Sequence, residues 1–145
     1  MTTKVILLIE DNPDDAELAV RALQMGTVKS TVVRARDGVE ALDYLFGTGA
    51  YAASPGAMPD VVLLDLKLPR VDGLEVLRRV RAHERTKYLP VVIMTSSLRE
   101  PDLEAGYALG ANSYVRKAVQ FSQFLEMTNQ LCAYWLTVNQ PVRRS

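Results

Sequence analysis

The chain has 145 residues and carries 17 basic and 17 acidic side chains, so its formal net charge is zero. This length is typical of one domain with a core of its own, and the balanced charge argues against nucleic acid as a direct partner, because no basic stripe occurs apart from Arg143 and Arg144. The single Cys132 excludes an internal disulfide, and the apolar run at residues 5–9 is too short for a signal peptide or a membrane span, so we expect a cytoplasmic protein without a membrane partner.

Apolar runs and helical patterns alternate along the first half of the chain. Residues 5–9 predict a strand, and the helical pattern that follows an acidic turn ends at Gly26. A β-branched run at residues 31–35 predicts the second strand, and residues 39–45 predict the second helix. Residues 48–59 contain two glycines and two prolines, which indicates a long loop that is mobile or forms a contact surface.

The second half of the chain repeats this alternation. It predicts strands at residues 60–65, 91–94 and 114–115, and helices at residues 73–85, 101–109 and 121–135. The apolar runs do not alternate with polar residues, which is typical of strands that helices cover on both faces. Five such units predict an α/β fold, a flavodoxin-like doubly wound sheet of five parallel strands in the order 2-1-3-4-5 with five helices.

Polar residues stand where the predicted strands end. They are Glu10 and Asp11 after the first strand, Asp65 at the third, Thr95 at the fourth and Lys117 at the fifth. In open parallel sheets the ligand crevice lies beyond the carboxyl ends of the strands. We therefore expect the functional site at this edge of the sheet.

The predicted strand order brings Asp11 and Asp65 close together. Two carboxylates about 4 Å apart repel each other by roughly 4 kcal/mol at an effective dielectric constant of 20. Either one carboxyl group stays protonated or a hard divalent cation binds between them, and we favour the cation. Oxygen ligands indicate Mg²⁺ rather than Zn²⁺, because one histidine and one cysteine cannot supply a zinc site.

The ordered set of these residues resembles the receiver domain of bacterial two-component response regulators. It comprises the acidic pair, the segment DLKLPRVDG at residues 65–73, Thr95, and Tyr114 three residues before Lys117. The resemblance covers about residues 4–135. It implies that Asp65 accepts a phosphoryl group from a partner histidine kinase in a Mg²⁺-dependent reaction, and that the only chemistry of the chain is its own phosphorylation and dephosphorylation.

The resemblance also implies a metal site and a switch. Asp11, Asp65 and the backbone carbonyl of Lys67 would bind Mg²⁺, with Glu10 in support. In the phosphorylated protein, hydrogen bonds and ion pairs from the neighbouring strand ends would hold the phosphoryl group.

Two of these residues would bind the phosphoryl oxygens, and a third would change its packing on phosphorylation. Thr95 would bind one oxygen, Lys117 would pair with another, and Tyr114 would be the aromatic switch residue. A hydrogen bond to a charged acceptor contributes about 1.5 to 3 kcal/mol, whereas shifting an equilibrium from 1:99 to 99:1 needs about 5.5 kcal/mol. The three contacts must therefore act together, or dimerisation must supply the remainder.

The chain departs from the common receiver pattern at two places. Ala118 follows Lys117 where most receivers have proline, and no output domain follows residues 1–136, only a tail at residues 137–145. We therefore expect a stand-alone regulator. Together with the loop at residues 48–59 and Trp135, these features are similar to the single-domain regulators that pair with bacterial and cyanobacterial phytochromes.

The apolar sequence of the predicted C-terminal helix suggests a contact with a second copy of the chain. Residues 131–136 are apolar around the whole helix, so an outer cover is expected. One interpretation is a homodimer through the fourth and fifth helices and the C-terminal region, with Leu103 and Tyr107 in the same surface. The other is that Trp135 only closes the end of the core. His83, the single histidine, is expected on the surface, so the phosphoryl group should come from a partner.

Other classes of function remain as alternatives. An aspartate-nucleophile phosphohydrolase would use Asp65 in the same way, but haloacid-dehalogenase-like enzymes carry a second aspartate where this chain has Lys67. A flavodoxin-like cofactor carrier would share the fold, but acidic residues replace its phosphate-binding Ser/Thr-rich turn. A receiver-like adaptor that is never phosphorylated would lose the acidic residues, which are present here.

The acidic turn after the first strand also mimics the start of a calcium-binding loop. Ala16 stands at the position that requires glycine, and Ala22 stands at that of the bidentate glutamate. A calcium loop is therefore excluded. Asp14 and Asp15 are expected to stabilise the N-terminus of the first helix through its dipole.

Overall fold

Strands and helices alternate along the chain in the computed structural model, which describes residues 3–142. The strands are β1 (Lys4–Ile9), β2 (Ser30–Ala35), β3 (Val61–Leu64), β4 (Val91–Thr95) and β5 (Ser113–Arg116). The helices are α1 (Pro13–Met25), α2 (Gly38–Phe46), α3 (Gly73–Ala82), α4 (Glu100–Ala108) and α5 (Phe121–Ala133). Arg143 and Arg144 lie outside the described residues.

The five strands form one sheet in the order β2-β1-β3-β4-β5, and all four neighbouring pairs are parallel. The predicted flavodoxin-like order is therefore confirmed. The central neighbours β1 and β3 run in register from Ile6 opposite Val61 to Ile9 opposite Leu64. This register places the residues that follow Ile9 and Leu64 side by side at the carboxyl edge of the sheet.

Helices cover both faces of the sheet, which explains the continuous apolar runs. Leu7 and Ile9 of β1 point into a core cluster with α2 and α3, whereas Ile6 and Leu8 point into a second cluster with α1 and α5. Successive side chains of a strand face opposite sides of a sheet, so apolar residues are favoured at successive positions of a doubly covered strand. Helix α4 lies on the side of α2 and α3, where Gly106 approaches the side chain of Ile93.

Helix α3 ends at Ala82 rather than at about residue 85. His83 has an extended backbone (φ −99°, ψ 135°), and its ring stacks on Phe46 with 4.6 Å between the ring centroids. The hydroxyl of Thr86 donates to the carbonyl of Val80 at 2.6 Å. This bond folds the chain back across the end of α3, which local helical periodicity does not reveal.

The loop at residues 48–59 is anchored to α2. It contains a short 3₁₀ helix, Gly49–Tyr51, and the ring of Tyr51 meets that of Tyr44 edge to face at 5.0 Å. The hydroxyl of Tyr44 also donates to the carbonyl of Ala57 at 2.6 Å. The loop is therefore held against α2 by contacts with Tyr44.

The C-terminal helix changes its winding at its end. Residues Tyr134–Val138 form one π-helical turn that continues α5, and Trp135 is half-buried against the core cluster shared by α1 and α5. The division between domain and tail after residue 136 stays a prediction, and it falls within this turn. Across residues 3–142, every helix is too short or too polar to cross a lipid bilayer.

Candidate functional site

Three carboxylates meet where β1 and β3 end. Glu10 and Asp11 directly follow β1, Asp65 directly follows β3, and one carboxylate oxygen from each lies within 4.8 Å of the others. The backbone N–H of Asp65 donates to the carbonyl of Ile9 at 3.1 Å, which extends the strand pairing into the site. Glu10 and Asp65 are buried and Asp11 is exposed, so the cluster opens to solvent on one side. The expected approach of Asp11 and Asp65 is therefore observed.

Lys117 reaches this cluster from the end of β5. Its Nζ lies 2.6 Å from Oε1 of Glu10, 3.1 Å from Oδ2 of Asp65 and 3.2 Å from Oδ2 of Asp15. Its backbone N–H donates to the carbonyl of Thr95 at 2.9 Å, so strand pairing fixes the main chain at this point. The alanine at position 118 therefore does not keep Lys117 away from the site.

Burial and the crowding of charges shift the pKa of two groups. Burial is the main cause of the raised pKa of Glu10, and the charge of Asp65 adds to it, while the hydrogen bond from Lys117 opposes it. Burial alone would lower the pKa of Lys117, but its bonds and charge interactions with Glu10 and Asp65 outweigh burial and raise it. The lysine is therefore an ammonium ion at neutral pH, inside a site with an excess of carboxylates.

Two residues that the sequence analysis did not assign to the site take part in it. The carboxylate of Asp15 forms an ion pair with Lys117. Asp15 also lies in the first turn of α1, where a negative charge stabilises the helix dipole as expected. Arg34, near the end of β2, donates from Nε and Nη2 to the carbonyl of Glu10 at 3.3 and 3.2 Å, and from Nη2 to the carbonyl of Asp11 at 3.4 Å. Neither contact follows from a local pattern, because each joins segments that only the folded sheet brings together.

The predicted switch residues lie at the ends of β4 and β5. Thr95 is the last residue of β4 and is 1% exposed, and its hydroxyl accepts a weak bond from the backbone N–H of Ser97 at 3.5 Å. The hydroxyl of Tyr114 donates to the carbonyl of Ser97 at 2.8 Å, and that of Ser97 donates to Asp102 at 2.5 Å. Tyr114 is thus bonded to the same loop that carries Thr95.

The β3–α3 loop brings Lys67 next to the acidic cluster. The backbone N–H of Lys67 donates weakly to Oδ1 of Asp65 at 3.5 Å, and Lys67 is exposed to solvent. The role of its carbonyl as a metal ligand stays a prediction. Arg70 in this loop has a positive φ of 69°, and its guanidinium pairs with Asp37 at 3.3 Å. The loop is therefore held both to α2 and to the site.

The donor set fits a hard divalent cation. The residues that converge offer carboxylate oxygens only, which are the ligands of Mg²⁺ and Mn²⁺. The single histidine, His83, lies at the end of α3, and the single cysteine, Cys132, lies in the core. The arrangement therefore combines a cation site, a buried carboxylate and an ammonium group at one edge of the sheet.

Comparison with known proteins places this site in a family. The family model of the response regulator receiver domain matches residues 6–129. The response regulator Rcp1 of Synechocystis sp. is 37% identical over 139 residues, which are 95% of this chain and 93% of Rcp1.

Solved structures agree with this assignment. The phosphorylated cyanobacterial phytochrome response regulator RcpA has a TM-score of 0.90 at 37% identity, and the match covers 98% of this chain and 100% of RcpA. The Mn²⁺-bound form of Rcp1 has a TM-score of 0.86 at 35% identity, covering 97% and 99% of the two chains. The bacteriophytochrome response regulator AtBRR has a TM-score of 0.77 at 49% identity, covering 97% and 100%. With its sheet order, its acidic cluster and these matches, the chain belongs to the response regulator receiver domain family.

Proposed function

We propose that Asp65 accepts a phosphoryl group from a histidine kinase and that Mg²⁺ is the metal of the site. One observation carries this proposal. The carboxylate of Asp65 belongs to the acidic cluster, and its Oδ2 also lies 3.1 Å from the ammonium Nζ of Lys117. Glu10 and Asp65 are buried while the cluster remains open at Asp11. A small phosphodonor or a kinase histidine can therefore approach from that side.

The reaction is a transfer between two nucleophiles. A carboxylate oxygen of Asp65 forms a bond to phosphorus while the phosphorus–nitrogen bond of a phosphohistidine breaks, and its electron pair leaves with the imidazole. Asp11 and Asp65, with Glu10 in support and the carbonyl of Lys67, would hold the cation, which when bound neutralises charge on the transferring group. Lys117 supplies a second positive charge at the acceptor.

In the phosphorylated state the phosphoryl group carries about two negative charges at the edge of the sheet, where the resting carboxylate carries one. Thr95 and Lys117 would bind the new phosphoryl oxygens, and Tyr114 would transmit the change through the loop that carries Ser97. A single such bond contributes about 1.5 to 3 kcal/mol, less than the roughly 5.5 kcal/mol that a nearly complete switch requires. The switch therefore needs the coupled movement of these residues.

The kinase that we propose is of the phytochrome type. The support is that RcpA is described as a phytochrome response regulator and AtBRR as a bacteriophytochrome response regulator, and both match this chain over nearly its whole length. The match covers 93% of Rcp1. We propose that the protein acts in the cytoplasm and, because its 17 basic and 17 acidic side chains balance, without direct binding to nucleic acid.

We also propose a homodimer through α4, α5 and the C-terminal turn. Tyr107 on α4 is 53% exposed and Tyr134 is 48% exposed, so both present aromatic surface to solvent. Trp135 packs on the core, so Tyr134 replaces it as the aromatic residue of the proposed interface. Sedimentation of a Tyr134→Ser variant should show a lower dimer fraction than wild type, whereas an unchanged monodisperse monomer for both would refute the dimer.

Labelling of Asp65 tests the central proposal. The protein is incubated with Mg²⁺ and a small phosphodonor, and intact mass with site mapping is expected to show one base-labile phosphoryl group on wild type and none on Asp65→Asn. The same assay with a purified phytochrome-type kinase tests the partner. If a known receiver is labelled under these conditions while this chain is not, Asp65 is not a phosphate acceptor.

A further inference from the structure

Asp15 contacts Lys117 from the first turn of α1, and the function proposed above gives it no role. Its Oδ2 lies 3.2 Å from Nζ of Lys117, across 102 positions in the sequence. The side chain of Asn12 fixes this turn, because its Oδ1 accepts a bond from the backbone N–H of Asp15 at 3.0 Å. Asp15 is thus held beside Lys117 without belonging to the group of carboxylates that could hold a metal.

The ammonium group of Lys117 has no spare donor in this arrangement. A lysine ammonium carries three N–H donors, and Nζ faces three carboxylates, those of Glu10, Asp65 and Asp15 at 2.6, 3.1 and 3.2 Å. These are all of its ion-pair partners within residues 3–142. A phosphoryl oxygen on Asp65 can therefore pair with Lys117 only if one carboxylate leaves.

The exposure of the three carboxylates decides which one leaves. The side chain of Glu10 is 4% exposed and that of Asp65 is 9% exposed, whereas that of Asp15 is 46% exposed. A buried carboxylate that loses its cation has no water to replace it, which is costly. A half-exposed carboxylate exchanges its partner for water at little cost. Asp15 is therefore the partner that Lys117 releases most easily.

We propose that Asp15 is a positioning residue that occupies the phosphoryl-binding donor of Lys117 in the unphosphorylated protein and is displaced when the phosphoryl group arrives. This inference rests on the proposed function, because it requires Asp65 to be the acceptor. Asp15 keeps the ammonium over Asp65 in the resting state, and it also competes with the phosphoryl group for the same N–H. It therefore lowers the affinity of the site for an anion while it adds negative charge that favours a cation.

The test compares Asp15→Asn with Asp14→Asn by calorimetry. Asp14 is an exposed carboxylate in the same turn, so its replacement removes the same charge without removing a contact to Lys117. The probe is beryllofluoride at saturating Mg²⁺, a mimic of the phosphoryl group on Asp65. Because half-exposed ion pairs contribute up to about 1 kcal/mol, Asp15→Asn is expected to bind beryllofluoride about two- to fivefold more tightly than Asp14→Asn. Mg²⁺ alone is expected to bind both variants more weakly than wild type.

Two further measurements separate competition from a purely structural role. Asp15→Glu keeps the charge on a side chain that is one methylene longer and can still reach Lys117, so it should restore the wild-type beryllofluoride affinity. In the metal-free protein, solvent exchange of the Nζ protons of Lys117, followed by NMR, should be faster in Asp15→Asn than in Asp14→Asn. A merely structural role of Asp15 would instead weaken the binding of Mg²⁺ and of beryllofluoride together.

The outcomes distinguish this inference from the function on which it rests. If wild type binds beryllofluoride and Asp15→Asn binds it no more tightly than Asp14→Asn, the displacement of Asp15 is refuted while Asp65 remains the acceptor. A result of this kind would mean that the metal, by drawing Glu10 away, already frees a donor of Lys117. If wild type does not bind beryllofluoride at all, both proposals fall. Asp15→Ser provides a second variant with the same expectation, should the asparagine variant fold poorly.

Discussion

Replacement of Arg81 is expected to destabilise the protein without affecting the acidic site. Its guanidinium donates to the carbonyls of Leu89, Gly110 and Lys87 at 2.7, 2.9 and 3.2 Å, and to the side chain of Asn112 at 2.8 Å. These acceptors lie where β4 and β5 begin, at the end of the sheet opposite to Asp65. The side chain of Arg81 is partly buried, and this burial lowers its pKa.

The expected loss follows from these four bonds. A hydrogen bond from a charged donor contributes about 1.5 to 3 kcal/mol, but the bonds of one group are not additive, and water can reach part of this network. We therefore expect Arg81→Met, which keeps the apolar stem, to lower the free energy of unfolding by about 3 kcal/mol. For a domain of this size that corresponds to a fall in Tm of about 6 to 12 °C.

Urea unfolding followed by circular dichroism measures this loss. Arg79→Met is the matched control, because Arg79 lies on the exposed side of the same helix and pairs only with Glu75 among the described residues. The control should remain close to wild type, and both variants should still be labelled on Asp65. If Arg81→Met is as stable as Arg79→Met, the network at the start of β4 and β5 contributes nothing, and the reasoning from its geometry is wrong.

Three more predictions concern the core, the thiol and the buried acid. Gly38→Ala would place a methyl group on the backbone carbonyl of Val71, so we expect a loss of about 1 to 3 kcal/mol in urea unfolding, and an unchanged midpoint would contradict this. Burial raises the pKa of Cys132 to about 11 from a reference of 9.0, so at pH 8 alkylation should be about a hundredfold slower than for an ordinary thiol, as mass spectrometry of the native and urea-unfolded protein can show. In Lys117→Met, Glu10 keeps its burial and loses its cation, so its already raised pKa rises further. Since a raised pKa gives stability that is present below the unfolded value near 4.5 and lost as the pH increases through the folded value, this variant should lose stability relative to wild type as the pH rises above about 4.5, and parallel pH profiles of the two proteins would contradict this expectation.

Sequence reasoning predicted the strand order and the place of the site because both follow from local patterns. Residues 61–64 are apolar without alternation, and that pattern is typical of a strand that is covered on both faces. Once the order of the strands is known, the residues after Ile9 and Leu64 must be neighbours. The meeting of Asp11 and Asp65 is therefore a consequence of topology alone.

The contacts made by long polar side chains could not be predicted in the same way. Arg34 bonds to backbone carbonyls 23 and 24 positions away, and Asp15 pairs with a lysine 102 positions away. Which of the acidic residues in the turn after β1 meets Lys117 depends on the angle at which α1 leaves the sheet, and no local pattern encodes it. The same holds for Arg81: its helical spacing places it four residues after Leu77, but no local pattern predicts its bonds to residues 89, 110 and 112.

A backbone hydrogen bond fixes the main chain of Lys117, and ion pairs set the direction of its side chain. The backbone bond to Thr95 fixes the main chain of Lys117 at the end of β5, although alanine rather than proline follows it. The direction of its side chain is set by carboxylates from β1, β3 and α1, which lie on three different segments. The phosphoryl group that we propose on Asp65 would change only the direction of the side chain, because it adds charge without touching the strand pairing. The ammonium could therefore exchange partners while the sheet stays intact. The loop between β4 and α4, which is held by the side chains of Tyr114 and Asp102 rather than by strand pairing, would be the segment that responds.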